Sequence, residues 1–304
     1  MATFNIEDAA FTGVGLLVKR PVAAIVWSLA WALLVAVVAT PFASTIAAYL
    51  TVIARTGGRP ATADILPIAP QLGAFALLMG LAGLVVGAVV SCAVYRAVLE
   101  PENSEFAYLR LGDQEIRVMV VNFIRGLILF AINLVLSITV AMLLVIANAA
   151  GPAVTSVVRL AGEAIVLCVL FWVQLRLSLA GPMTYWERRF RLFESWTLTR
   201  NLTWRLVAVG VILFVIGGVV YLGVATLGIA GSLTLWNSAP RPADIQSLLS
   251  LSPSQWIGPL APFIALISVM VLIAGALLTP IGLAPWPYIY RTLIADKGSP
   301  TEVT

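Results

Sequence analysis

The apolar stretch GLILFAINLVLSITVAMLLVIA at residues 126–147 decides the fold class. It contains no charged residue, and an α-helix needs about 20 apolar residues to cross the hydrocarbon core of a bilayer. Because backbone N–H and C=O groups must pair within a span inside lipid, such a stretch predicts a transmembrane helix. Charge-free intervals that long lie between Arg20 and Arg55, Asp64 and Arg96, Arg125 and Arg159, Arg205 and Arg241, and Asp244 and Arg291.

The composition excludes a soluble globular protein. Of the 304 residues, 61% are hydrophobic and only 11% are charged, whereas about 25% are charged in a typical soluble domain. We therefore predict an all-α, polytopic membrane helical bundle that forms a single integral membrane domain over residues 1–304. The predicted spans are about 21–47, 70–95, 118–147, 155–181, 204–232 and 257–280.

The basic residues predict the orientation of the chain. Of 18 Lys and Arg residues, only Arg55, Arg59, Arg159 and Arg241 fall on one side of the predicted bilayer. Since cytoplasmic loops are enriched in Lys and Arg, both termini are expected in the cytoplasm, as in a multi-pass protein of a bacterial inner membrane. The basic residues flank spans, so we expect anionic membrane lipids as partners and not nucleic acid.

The residues that commonly carry enzyme chemistry are scarce. The sequence has no histidine, which removes the commonest general base and metal ligand. Its two cysteines, Cys92 and Cys168, lie within apolar runs and are expected to pack as small core residues. We expect no metal, no cofactor and no enzymatic activity.

The connector at residues 183–205 combines aromatic residues with arginines. Positions 186, 190, 193 and 197 share one face if the connector is a continuous helix, which predicts an amphipathic helix in the headgroup plane on the cytoplasmic side. Arginines there and at the ends of spans either contact lipid phosphates or act only as positive-inside anchors. The candidate headgroup contacts are Arg96, Arg125, Arg176, Arg188, Arg189, Arg191 and Arg291.

A threefold pseudo-repeat is a further hypothesis. An amphipathic segment precedes a pair of spans at about 4–95, 103–176 and 183–290. Arg96, Arg176 and Arg291 each follow a bulky residue near the end of these units. Chance similarity between interfacial sequences is the alternative, because the matching tails are short.

Residues 176–205 carry the most characteristic motifs. Arg-Leu-Ser-Leu-Ala-Gly-Pro at 176–182 is followed by Phe-Glu-Ser-Trp-Thr-Leu-Thr-Arg at 193–200 and by Trp-Arg at 204–205. This pattern resembles the membrane domain of bacterial glycerophosphodiester phosphodiesterases and related uncharacterised bacterial integral membrane proteins. The resemblance implies six spans and a membrane location. It implies no phosphodiesterase activity, which in those proteins belongs to a separate soluble domain.

Polar residues within spans mark a candidate intramembrane site. Glu163 lies inside span four, and Arg159 precedes it by one helical turn. Asn133 and Ser137 are one turn apart in span three. Ionisable groups inside spans are often functional, so these four residues predict either a proton or substrate site or an ion pair and hydrogen bonds that only hold helices together.

The sequence allows two interpretations of the Gly83 and Gly87 face and two of the function. Gly83 and Gly87 allow close helix approach, which fits either a homo-oligomer or packing within one subunit. The favoured function is a non-enzymatic membrane-organising or lipid-interacting role. The alternative is a transporter or lipid-handling protein with a polar site near span four.

Overall fold

The computed structural model describes residues 4–102, 105–238 and 253–297. These residues form helices and turns, and the described part of the chain contains no strand. The helices are α1 (Ile6–Lys19), α2 (Pro21–Ala39), α3 (Ala43–Arg55), α4 (Thr62–Ile65), α5 (Ala69–Leu99), α6 (Asp113–Ala150), α7 (Pro152–Arg176), α8 (Ala180–Glu187), α9 (Phe193–Leu198), α10 (Thr203–Ser238), α11 (Pro253–Leu283) and α12 (Pro285–Lys297).

Six helical stretches in the described residues are long and apolar enough to cross a membrane. They are Pro21–Ile53, Ala69–Leu99, Phe106–Ala150, Pro152–Glu187, Thr203–Leu235 and Ala261–Ala295. Each overlaps one predicted span, so the all-α polytopic class and the number of spans are confirmed. The protein is therefore a multi-pass membrane protein.

Proline and glycine set several boundaries of these stretches. A short 3₁₀ turn at Thr40–Phe42 separates α2 from α3, where Pro41 cannot donate a backbone hydrogen bond. Gly151, with φ of 112°, joins α6 to α7, because a residue without Cβ adopts this backbone conformation at little cost. Pro152 then begins α7, a position at which proline needs no intrahelical hydrogen bond.

The described residues belong to two compact units. The first comprises Met1–Leu16, Ala88–Phe214 and Ile281–Thr304, and the second comprises Leu17–Gly87 and Val215–Pro280. In the first unit, α8 is the most deeply packed short helix, since its residues from Ala180 to Tyr185 are all buried. Core residues around it come from α5, α6, α7, α10 and α12.

Small residues and a polar contact join helices within the second unit. The Ser28 hydroxyl on α2 donates a hydrogen bond of 2.7 Å to the Leu272 carbonyl of α11. A Cβ atom added at Gly87 would lie 3.5 Å from the Trp31 ring, and one added at Gly83 would lie 3.9 Å away. The face of Gly83 and Gly87 therefore packs within one chain, which is the second of the two predicted alternatives, and a homo-oligomer stays a prediction.

The connector at 183–205 is not one continuous amphipathic helix. Helix α8 ends at Glu187, Arg188 adopts a left-handed conformation with φ of 55°, and α9 begins only at Phe193. The predicted common face of positions 186, 190, 193 and 197 is therefore wrong. A left-handed non-glycine residue ends an α-helix, and hydrophobic periodicity does not reveal it.

Helices α6 and α7 approach each other closely at Gly162. A Cβ atom added at Gly162 would lie 2.8 Å from Val140 Cγ1, whereas one added at Gly126 meets no atom within 4 Å. We expect Gly162→Ala to be less stable than Gly126→Ala by about 1–3 kcal/mol, the usual cost of overpacking. Both variants gain the same helix propensity, so the thermal unfolding midpoint in detergent isolates the clash. Equal midpoints would show that the hairpin does not close at Gly162.

Candidate functional site

One buried arginine is fully compensated by its surroundings. The Arg96 cluster consists of Arg96, Tyr108, Glu115 and Tyr185. Arg96 is only 4% exposed, and its Nη2 donates to Glu115 Oε1 at 2.7 Å. Its Nη1 donates to the Tyr108 carbonyl, and its guanidinium lies over the Tyr185 ring at 5.7 Å. A buried charge is stable only when it is paired and hydrogen-bonded in this way.

An unusual turn presents the Tyr108 carbonyl to Arg96. Phe106, Ala107 and Tyr108 all have positive φ, between 48° and 66°. Three successive non-glycine residues in this region are costly and persist only where the surroundings hold them. The Tyr108 hydroxyl, which donates to the Pro101 carbonyl at 3.1 Å, supplies part of that restraint. The turn leaves the Phe106 side chain 87% exposed.

A second buried arginine lacks an acidic partner. The Arg176 cluster consists of Trp172, Arg176, Ser195, Trp196, Thr199 and Thr203. Arg176 is 7% exposed, and no carboxylate of the described residues lies within 4 Å of it. Its guanidinium lies 5.5 Å from the centre of the Trp172 ring and 4.9 Å from that of Trp196. Nη1 makes only long hydrogen bonds, 3.3 Å to Thr203 Oγ1 and 3.5 Å to Thr199 Oγ1, and the buried Nε makes none.

The motif that carries the family resemblance builds this cluster. Ser195 and Thr199 of the 193–200 motif donate their hydroxyl hydrogens to the Arg176 carbonyl at 2.9 and 3.2 Å. Trp196 of the same motif covers the guanidinium and meets Trp172 edge-on at 5.1 Å. The motif residues therefore fasten α9 to the end of α7. The sequence shows the motif, but it does not show that the motif encloses Arg176.

The Arg96 cluster corrects one predicted headgroup contact, and the Arg176 cluster corrects one predicted anchor. Arg96 is buried on Glu115, so its predicted contact with lipid headgroups is wrong. Arg176 is enclosed by aromatic rings and not extended into solvent, so it is not the snorkelling anchor that its position at the end of span four predicts. The signal that identifies Arg96 is Glu115, an acidic residue in the first turn of α6, which the sequence analysis did not connect to it.

The remaining candidate arginines lie in different environments. Arg188 and Arg189 are exposed, and Arg125 is half-buried on α6. Arg291 is exposed and donates to the Val98 carbonyl at 3.4 Å. Arg191 donates to Glu187 at 2.8 Å and to Glu194 at 2.9 Å, so its charge is already balanced. Only some of the predicted headgroup contacts therefore present an unpaired charge at the surface.

The ion pair of Arg191 with Glu194 also affects the ionisation of both groups. The backbone hydrogen bond within Glu194 and the Arg191 guanidinium hold the pKa of the Glu194 carboxyl below its usual range. The hydrogen bond that Arg191 donates to Glu194 and the charge of Glu187 raise the pKa of Arg191. Both groups therefore stay ionised around neutral pH, which leaves Arg188 and Arg189 as the free charges nearest to them in sequence.

Large aromatic side chains lie exposed on the same connector. Aromatic rings and arginines next to spans are typical of segments at the headgroup level of a bilayer. The exposed aromatic side chains are Trp186 (47%), Phe190 (58%), Phe193 (71%) and Trp204 (84%).

The predicted intramembrane site is brought together only in part. Glu163 and Ser137 line one groove of about 410 Å³ between α6 and α7. Asn133 and Arg159 are exposed and do not line it. The described residues form no ion pair between Arg159 and Glu163, which corrects the alternative in which these two side chains pair. Glu163 is the twelfth of 25 residues in α7, which places it near the middle of that helix.

No group of three or more acidic or cysteine side chains in the described residues is placed to hold a metal ion. Cys92 is buried and Cys168 is exposed, so the prediction that both pack as core residues holds for Cys92 alone.

The Arg96 cluster allows a direct test of its ion pair. Glu115→Leu leaves a buried, uncompensated guanidinium, and breaking such a pair costs about 3–5 kcal/mol. The double variant Arg96→Met with Glu115→Leu removes both charges and is expected to recover most of that loss, because apolar side chains replace buried pairs well. Unfolding in detergent measures both variants.

Glu194→Gln is the matched control for this test, because it breaks an exposed ion pair and is expected to change stability little. If Glu115→Leu unfolds no more readily than Glu194→Gln, the pairing of Arg96 with Glu115 does not stabilise the fold.

No protein-family model matches this chain, and no curated protein or solved structure shows significant similarity to it. The resemblance to the membrane domain of glycerophosphodiester phosphodiesterases therefore stays a prediction.

Proposed function

We propose that this multi-pass membrane protein is non-enzymatic and binds anionic phospholipids with the lipid-facing connector, defined here as residues 186–205. The proposal includes a bacterial inner membrane as its location and the cytoplasm as the side of both termini. One observation carries it: the connector combines the unpaired arginines Arg188 and Arg189 with four exposed aromatic side chains.

The chemistry of the connector fits a headgroup layer. Tryptophan and phenylalanine place their rings at the boundary between headgroups and acyl chains, while guanidinium groups donate bidentate hydrogen bonds to phosphate oxygens. Arg117 of α6 donates to the Arg188 carbonyl at 2.7 Å and so fixes the turn that carries these arginines. A fixed turn loses less conformational entropy when a lipid binds.

Charge reversal tests the proposal. Each basic residue near an anionic surface contributes about 1 kcal/mol to binding, so Arg188→Glu with Arg189→Glu is expected to weaken the binding of anionic lipid by about 30-fold or more. Native mass spectrometry of the protein released gently from its membrane counts the retained lipids.

The matched control makes the same change of charge at another exposed connector, with Arg55→Glu and Arg59→Glu. It is expected to retain lipid as the unaltered protein does. An equal loss of lipid from both double variants would mean that total charge, and not the lipid-facing connector, governs binding.

A second candidate function rests on the groove beside Glu163. A carboxyl group near the middle of a spanning helix is costly to ionise in lipid, and Ser137 lines the same groove. In a transporter or a lipid-handling protein, a carboxyl group in this position can bind and release protons.

Labelling with an apolar carbodiimide tests this second function, because the reagent reacts with protonated carboxyl groups in apolar surroundings. We expect an adduct at Glu163 in bilayers that is absent from Glu163→Gln. The absence of any adduct would exclude a proton-binding role for Glu163.

A further inference from the structure

We infer that the Arg176 cluster is a specific binding site for a single phosphate group. The inference deepens the proposed function, on which it rests, by assigning one defined anion site in addition to the diffuse contacts of Arg188 and Arg189. Its starting point is a buried charge for which the described residues supply no counter-charge.

The hydrogen-bonding capacity of Arg176 is mostly unused. A guanidinium has five N–H donors, and in the described part of the chain only Nη1 makes hydrogen bonds, both longer than 3.2 Å. The Nε atom is buried and has no acceptor. Buried donors are satisfied in most proteins. The Arg176 guanidinium therefore needs an acceptor that the described residues do not supply.

Arg96 is a second buried arginine, and it does have a counter-charge. Both arginines occupy the same place in the proposed repeat, near the end of the second span of a unit, and both are more than nine-tenths buried. Arg96 has Glu115 at 2.7 Å, whereas the described residues place two rings and two hydroxyl groups around Arg176 and no carboxylate within 4 Å. Contacts between a cation and aromatic rings contribute less than the desolvation cost of a buried charge.

A second arginine increases the demand for an anion. Arg200 is exposed and close enough to act electrostatically on Arg176. Neither of these two arginines forms an ion pair with a described acidic residue. Two like charges without a counter-ion repel each other, and an anion bound between them would remove that repulsion.

The surroundings select phosphate as the anion. Trp172 is 42% exposed and Thr203 is half-buried, so the cluster borders the surface. Tryptophan at the end of a spanning helix lies at the level of the headgroups, where phosphates are the main anions. The planar guanidinium of Arg176 matches two phosphate oxygens.

The test uses the full chain purified in mild detergent, and it has two arms. In the first, native mass spectrometry counts phosphatidylglycerol molecules that survive a high-salt wash, which removes diffuse electrostatic binding. In the second, lipid is removed and the shift of the thermal unfolding midpoint with inorganic phosphate is measured. A lipid headgroup is the source if only the first arm responds, and a soluble phosphate compound is the source if the second responds.

We expect the unaltered protein to hold one salt-resistant phosphate ligand in one of the two arms. Arg176→Gln is expected to weaken its binding by about 10- to 100-fold, the effect of losing a hydrogen bond to a charged group. Arg200→Gln is expected to weaken it by about 5-fold, the effect of losing one nearby positive charge. Arg59→Gln, an exposed arginine of another connector, is the control and is expected to leave binding unchanged. Arg200→Gln decides the outcome if Arg176→Gln does not fold, because Arg200 is exposed.

The inference and the proposed function fail in different ways. Loss of the salt-sensitive lipids in Arg188→Glu with Arg189→Glu, while one salt-resistant ligand is kept, supports both. If no salt-resistant ligand is found in either arm, or if it persists in Arg176→Gln and Arg200→Gln, the Arg176 cluster is a structural arginine cage and the inference is overturned.

Discussion

The ion pair between Arg96 and Glu115 is the interaction on which the first unit depends. It places a full charge in a buried position between the end of α5 and the start of α6, two elements separated by a left-handed turn. Tyr185 of α8 covers the same guanidinium, so one arginine orients two long helices and the most buried short helix. In a chain of which only 11% of the residues are charged, a buried ion pair strongly restricts which helix ends can meet.

Arg176 is a buried arginine like Arg96, but it has no acidic partner among the described residues. The fold holds this guanidinium with aromatic rings and threonine hydroxyls, and it uses the Arg176 carbonyl to fasten α9. The protein can fold around a cation held in this way, and the cation still attracts anions. If Arg176 binds phosphate as proposed, a structural role and a binding role fall on one residue.

The spans were predictable because length and apolarity alone decide whether a helix crosses a bilayer. The break at Ala284 before Pro285 is equally local, since proline cannot extend a helix of this kind. The ends of the interfacial elements were not predictable. The left-handed residue Arg188 interrupts a stretch whose aromatic spacing indicates one helix, and nothing in the pattern distinguishes it from its neighbours.

The residues of the candidate site were predictable from the sequence, but their contacts were not. Arginines at the ends of spans were recognised, but a cation at such a place has two possible fates, exposure to headgroups or burial with a partner. The choice depends on contacts such as the one from Arg96 to Glu115, which lies 19 residues further along the chain, and on ring contacts between α7 and α9. Sequence periodicity reports which face a residue lies on and not which distant group meets it there.

The central claim is that anionic lipid binds at the lipid-facing connector and the adjoining end of α7. The most direct measurement is cross-linking with a photoactivatable phosphatidylglycerol in bilayers, followed by mass-spectrometric mapping of the modified peptides. We expect adducts concentrated between residues 172 and 205 and few in the connector between α3 and α5. Adducts distributed evenly over both connectors, or concentrated between residues 56 and 68, would contradict the account.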